Sequence, residues 1–224
     1  MTYKYIVMDM DDTLLTSKNE ISEVTYQYLM EKQKEGMKLI LASGRPTAGM
    51  IKHAEVLDLK SYGGYIVSYN GAFVINAEDQ SILFNQTISQ KDAHDIIDYC
   101  RSHNFFYLTY LNDQIIHDTT HDYMNIESEL TGLPMSKVNN IKEAIIGEVS
   151  KGKSLQRLFD QFDADFSEVI AFGDSLNDSD MLERAAVGVA MGNANDTIKG
   201  IADVVTDDHD HDGIVTALEK ILNA

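Results

Sequence analysis

The sequence is poor in cations, cysteine and long apolar runs, and each shortage excludes something. Lysine and arginine number 18 against 36 aspartates and glutamates, a formal net charge of −18. Such a balance argues against nucleic-acid or anionic-membrane partners. It also means that an anionic substrate needs local positive charge or a metal ion. The single cysteine, Cys100, excludes an internal disulfide framework and fits a reducing compartment. No apolar run approaches membrane-spanning length, and charge arrives by Asp9, too early for a secretory apolar region. A cytoplasmic enzyme is therefore expected. Also missing are a Walker-type glycine-rich loop, a Ser-His-Asp order and any Cys/His cluster of zinc spacing.

What is present is organised around Tyr5-Ile6-Val7-Met8-Asp9-Met10-Asp11-Asp12-Thr13-Leu14-Leu15. A short apolar run bounded by polar residues reads as a strand buried on both faces of a parallel sheet. It breaks into carboxylates, and Asp9 and Asp11 point to the same side if the strand geometry persists. Two carboxylates forced together are costly unless a cation lies between them or one keeps its proton.

With 224 residues the chain is long enough for a core with a smaller insert. After the first strand, residues 17–36 read as a helix carrying Ile21, Val24, Tyr28 and Leu29, stopped by Gly36. Residues 37–42 are a second buried strand ending in Ser43-Gly44-Arg45-Pro46, and Pro46 suits the first turn of a new helix. Residues 65–69 are a third strand, ending in Asn70-Gly71. This alternation predicts a parallel sheet with right-handed crossovers. Residues 73–76 and 81–84 then read as a hairpin. An α+β insert follows: a helix over 89–102 with Ala93, Ile96, Ile97 and Cys100 on one stripe, a hairpin over 105–117, a helix over 120–130, and, after a stretch from 135 that carries no clear pattern, a candidate strand over 143–149. The alternating pattern resumes near Ser150 with a helix opened by Lys151, strands at 169–172, 187–191 and 203–206, and a closing helix over 213–222. The expected fold is a Rossmann-like, doubly wound α/β core of residues 1–84 and 149–224 interrupted by a cap at 85–148.

In open α/β sheets the ligand lies beyond the carboxyl ends of the strands. There the sequence places Asp9 and Asp11, Ser43 and the Gly44 amide, Asn70, and Asp174 with Asn177 and Asp178 just after it. Lys151 stands at a helix start, where an anion is also favoured. Asp9 and Asp174 are hard oxygen ligands suited to Mg2+. Ser43, Asn177 and Lys151 are donors suited to a phosphate. A carboxylate beside Mg2+ and a phosphate points to phosphoryl transfer through an aspartyl-phosphate.

These residues carry a resemblance. Asp9-Met10-Asp11-Asp12-Thr13-Leu14-Leu15, Ser43-Gly44-Arg45, Lys151 and Gly173-Asp174 through Asn177-Asp178 resemble, in order and separation, the four motifs of haloacid dehalogenase-like phosphatases. Asn70-Gly71-Ala72, the stretch 189–194 and Asp212-Gly213 are similar to the Cof-type branch, whose members hydrolyse sugar phosphates and other small phosphomonoesters. The resemblance implies Asp9 as nucleophile and Asp11 as general acid and then base. It implies a Mg2+ site from Asp9, the Asp11 carbonyl, Asp174 and Asp178, and a phosphoryl cradle from Ser43, Gly44, Lys151 and Asn177. The implied partner is a small phosphorylated metabolite, with the chain acting as monomer or homodimer. The alternatives are a phosphomutase on the same core, or a phosphoryl-binding relative without turnover. Cof-type proteins carry a larger cap, and here the chain passes from Asn140 to Glu148 as though a middle segment were missing, which implies a more open site. Thr13 is read as bonding local backbone, Tyr107 and Tyr110 as cap packing, the 207–212 Asp/His run as a solvated loop rather than a metal patch, and Asp212 as the cap of the last helix.

Overall fold

The computed structural model describes residues 3–86, 88–111, 114–143 and 165–223. Its main sheet has eight strands. In chain order they are β1 (Tyr5–Met8), β2 (Lys38–Ala42), β3 (Tyr65–Ser68), β4 (Phe73–Asn76), β5 (Ile82–Asn85), β9 (Val169–Gly173), β10 (Val187–Ala190) and β11 (Val204–Val205). In space the order is β11-β10-β9-β1-β2-β3-β4-β5. Every pairing from β11 to β3 is parallel; β4 and β5 are added antiparallel as a hairpin.

Alternation along the buried strands decides which helices pack where, because successive side chains leave opposite faces. Ile6 and Met8 of β1, Leu39 and Leu41 of β2, and Ile170 and Phe172 of β9 face one way. They pack with Leu29 of α1 (Glu23–Lys34), Met50 of α2 (Ala48–Val56) and Leu218 of α8 (Gly213–Leu222). Val7, Ile40, Ala42 and Ala171 face the other way, against Met181 and Leu182 of α6 (Ser179–Arg184) and Ile198 of α7 (Asp196–Ile201). The sheet is therefore covered on both faces, as a parallel sheet requires. A short helix, α3 (Leu59–Tyr62), leads into β3.

Two expected helix details are corrected. The first helix begins at Glu23, not at residue 17. Ser22 caps it by accepting the Thr25 N–H at 3.1 Å, and Asn19, at φ +59°, turns the chain before it. Its buried stripe is Thr25, Leu29 and Gln33, and Val24 points outward. Gly36 does stop it, at φ +102°, a conformation open to glycine at little cost.

Among the described residues the other strands form a separate sheet of three, β6 (Thr109–Leu111), β7 (Gln114–His117) and β8 (Met135–Lys137), in the order β6-β7-β8. Helix α4 (Gln90–Ser102), capped by Ser89, packs Ile97 against Ile116 of β7 and Ile141. Ile96 departs from the expected stripe and is exposed, because Ala93 and Ile97 take the inward positions. Residues 135–137, unassigned in the sequence, are a strand parallel to β7. Helix α5 is Met124–Thr131, ended by Gly132 at φ +72°. The expected strand over 143–149 and the helix opened by Lys151 lie outside the described residues, apart from Glu143, which ends a short turn of helix.

Candidate active site

The strand order reverses at β1. From it β2 and β3 run to one side and β9 and β10 to the other, and the crevice past the carboxyl ends of β1 and β9 is where such sheets bind ligands. Asp9 follows β1 there, its N–H donating to the Phe172 carbonyl at 3.1 Å and so extending the β1–β9 pairing past the strand end. The chain then leaves the sheet in a wide turn closed by Leu14 N–H to Asp9 O and Leu15 N–H to Met10 O. Strand geometry ends at Met8, yet Asp11 keeps an extended backbone while Asp12 takes φ +55°. Asp9 and Asp11 thus still share one cleft.

Asp174 follows β9 directly. Asp178, wholly buried, turns back beneath it, one carboxylate oxygen accepting the N–H groups of Asp174 and Ser175 at 3.1 and 3.0 Å. This fold-back requires Gly173: a Cβ there would stand 2.5 Å from the Asp178 Cβ. Oxygens of Asp9, Asp174 and Asp178 come within 4.8 Å of one another. Burial and the neighbouring Asp178 charge push the Asp174 carboxyl above its ordinary range, while hydrogen bonds from Ser175 and Thr13 pull the other way. Three gathered carboxylates, one of them so strained electrostatically, are a hard-oxygen donor set that fits a divalent cation. The Asp11 carboxylate is not among the three.

Asp11 is engaged elsewhere, by a residue to which sequence reasoning gave no role. Arg45, 5% exposed, holds it with both arms of its fork, Nε to Oδ2 at 2.8 Å and Nη2 to Oδ1 at 2.6 Å. The signal was the Ser43-Gly44-Arg45 sequence itself, which put an arginine one residue past two expected phosphate contacts. Ser43 is buried, its Oγ accepting the Arg45 N–H at 3.2 Å. Asn70, at φ +54°, donates its own N–H to the Ser43 carbonyl and accepts from Asn177 Nδ2 at 3.0 Å. The Asn70 side chain also lies 3.3 Å from where a Gly44 Cβ would be. Ser43, Gly44, Asn70 and Asn177 are thereby brought to one rim. Lys151 lies outside the described residues.

Thr13 bonds not local backbone but Asp174, its hydroxyl 3.4 Å from Oδ1. Of the Asp/His run, His209 lies 3.7 Å from both Asp12 and Asp210, and Asp210 accepts the Ser17 N–H. Asp212 stands at the start of α8 without capping it; its carboxylate instead accepts from the hydroxyls of Ser22 and Thr25. These bonds organise a loop, and among the described residues the gathered metal donors are Asp9, Asp174 and Asp178.

The cleft, about 340 Å³, is lined on the sheet side by Asp9, Asp11, Ser43, Asp174 and Asn177 and on the other by Tyr110, Glu127, Leu130 and Thr131. Tyr107 stays within the small sheet's own packing, its hydroxyl donating to Asp118 at 2.8 Å. Tyr110, expected to do the same, faces the cleft.

The model of the haloacid dehalogenase-like hydrolases matches residues 6–145 and 135–218. The chain belongs to that family. Phosphatase YwpJ of Bacillus subtilis is 28% identical over 288 residues, spanning 98% of this chain and 100% of its own. Pyridoxal phosphate phosphatase YbhA of Escherichia coli is 25% identical, across 96% of this chain and 97% of its own. The crystal structure of a haloacid dehalogenase-like hydrolase from Bacteroides thetaiotaomicron superposes with a TM-score of 0.88 at 30% identity, covering 98% of this chain and 100% of that one. Within the family the chain is a phosphatase-type hydrolase. The YwpJ alignment, at 288 positions, is longer than the 224 residues here, so part of that relative has no counterpart in this chain. The two matched segments of the family model overlap at residues 135–145.

Proposed function

We propose that the protein is a Mg2+-dependent phosphomonoesterase that hydrolyses a small phosphorylated metabolite through an aspartyl-phosphate on Asp9. The observation that carries this reading is the placement of Asp9: buried at the switch point, within 4.8 Å of Asp174 and Asp178 oxygens, and facing the Ser43–Asn177 rim. Residues 1–84 and 149–224 serve as the catalytic core and 85–148 as the cap.

Asp9, Asp174 and Asp178, with the Asp11 carbonyl, would hold Mg2+, which supplies positive charge against the phosphate and the gathered carboxylates. An Asp9 oxygen attacks phosphorus and the bond to the leaving alcohol oxygen breaks. Asp11 gives that oxygen its proton. A water then attacks the phosphorus of the acyl phosphate, Asp11 takes the water's proton, and inorganic phosphate leaves with Asp9 regenerated. Ser43, the Gly44 amide, Asn177 and Lys151 orient the phosphoryl oxygens; removing one such donor lowers turnover on the order of 10²–10³-fold. Arg45 holds Asp11 at the cleft wall between these two proton transfers.

The test is phosphate release from a panel of sugar phosphates, nucleotides and pyridoxal phosphate, with and without Mg2+, beside Asp9→Asn. Turnover that needs both is expected. Metal-independent release, or release by the variant, contradicts the reading.

A further inference from the structure

The cap-side wall of the cleft holds a carboxylate that the phosphoryl chemistry does not use. Glu127, on α5, faces Asp9, Asp11 and Asp174 across the opening. Its Oε1 accepts a hydrogen bond from the Tyr110 hydroxyl. Burial, first, and the hydrogen bond to Glu127, second, raise the Tyr110 phenol well above its ordinary range, so it stays a donor. The Tyr110 ring is itself set edge-on to Tyr69 of the main-sheet side, 5.5 Å between centroids. Tyr69 holds φ +53° immediately before Asn70, an uncommon conformation for a bulky residue. At the other end of α5, Thr131 lies 3.4 Å from the place of a Gly49 Cβ, so the helix rests directly on α2. The Thr131 hydroxyl is spent on the Glu127 carbonyl at 2.6 Å. The Glu127 carboxylate is thus held by Tyr110, on a helix seated against α2, and has no lysine or arginine partner among the described residues. Arg45, the one described cation on the cleft wall, is committed to Asp11.

We propose that Glu127, positioned by Tyr110, is the specificity-determining residue for the leaving group, selecting phosphomonoesters whose alcohol carries amino or hydroxyl groups and rejecting those with a second phosphate. This rests on the phosphomonoesterase reading of Asp9. A fixed carboxylate accepts O–H and N–H+ donors and repels a phosphate dianion. Leu130 beside it offers an apolar edge to the carbon face of the same group.

The experiment compares kcat/KM for glucosamine 6-phosphate and fructose 1,6-bisphosphate in the wild type, Glu127→Gln and Tyr110→Phe, with p-nitrophenyl phosphate and Asp9→Asn as the check on chemistry. The wild type favours the amino sugar. Glu127→Gln shrinks that ratio roughly 10- to 100-fold, the range of a lost hydrogen bond to a charged group, and Tyr110→Phe shifts it the same way by less. If Asp9-dependent turnover is present but the ratio is equal in the wild type and Glu127→Gln, the leaving-group assignment is overturned while the chemistry stands. If the wild type hydrolyses p-nitrophenyl phosphate without needing Asp9, or not at all, both readings fall.

Discussion

Replacing Gly173 by alanine adds one methyl group against Asp178, beneath the candidate active site. The new Cβ would stand 2.5 Å from Asp178 Cβ, 2.7 Å from its Cγ and 2.8 Å from its Oδ2, all closer than a Cβ normally comes to a neighbouring heavy atom. Gly173 is not among the glycines at positive φ, so the backbone itself accepts alanine and the cost is steric. Asp178 has no room to retreat: it is wholly buried, and its carboxylate is tied to the N–H groups of Asp174 and Ser175. Overpacking of this kind costs about 1–3 kcal/mol. For a chain of this length that lowers Tm by roughly 2–12 °C. Asp178 must also shift within the carboxylate trio, so Mg2+ binding weakens together with stability. Thermal unfolding followed by circular dichroism and a calorimetric Mg2+ titration read the two effects. Asp178→Asn, which keeps the size and an accepting oxygen but removes the charge, should lose Mg2+ affinity with a smaller loss of Tm. A Gly173→Ala protein with wild-type Tm and wild-type Mg2+ affinity would mean that Asp178 does not meet the added methyl group.

Other perturbations follow from particular contacts. Arg45→Lys replaces a two-armed grip on Asp11 by a point charge, and kcat/KM should fall roughly 10- to 100-fold, as for other lost hydrogen bonds to charged groups, with far-ultraviolet circular dichroism unchanged. Asn70→Gly and Asn70→Ala both lose the bond from Asn177, so their kinetic defects should match. Only the alanine pays the left-handed backbone, and denaturant unfolding should place it about 1–2 kcal/mol below the glycine variant. Ser22→Ala removes the cap of α1 and a partner of Asp212, lowering unfolding stability by about 1–2 kcal/mol and leaving phosphate release intact, since Ser22 lies away from the cleft.

The core was legible because its strands are short apolar runs whose two faces are both buried. Ile6 and Met8 against Val7, and Leu39 and Leu41 against Ile40, could have no other use in a parallel sheet. The site was legible for a related reason: a doubly wound sheet brings its strand ends together, so Asp9, Ser43, Asn70 and Asp174 converge although they are far apart in sequence. Helix boundaries were less legible. Val24 fits a helical apolar stripe as well as Thr25 does, and only packing against α8 decides that Thr25 and Leu29 face inward. The cleft's far wall was not legible at all. Tyr110 and Glu127 meet through a contact between strand β6 and helix α5, and nothing in local periodicity says that the pair points across a gap at Asp9. Arg45 stood within a recognised motif, yet its pairing with Asp11 depends on how the turn after β1 places that carboxylate.

The central claim is that Asp9 carries the phosphoryl group. Its most direct test is to quench the enzyme with acid during turnover of p-nitrophenyl phosphate in Mg2+, reduce with borohydride, and map the product by mass spectrometry. Reduction converts an aspartyl-phosphate to homoserine. Homoserine is expected at position 9 in the wild type and not in Asp9→Asn. Phosphate release with position 9 unmodified throughout, or with the label on another carboxylate, would contradict it.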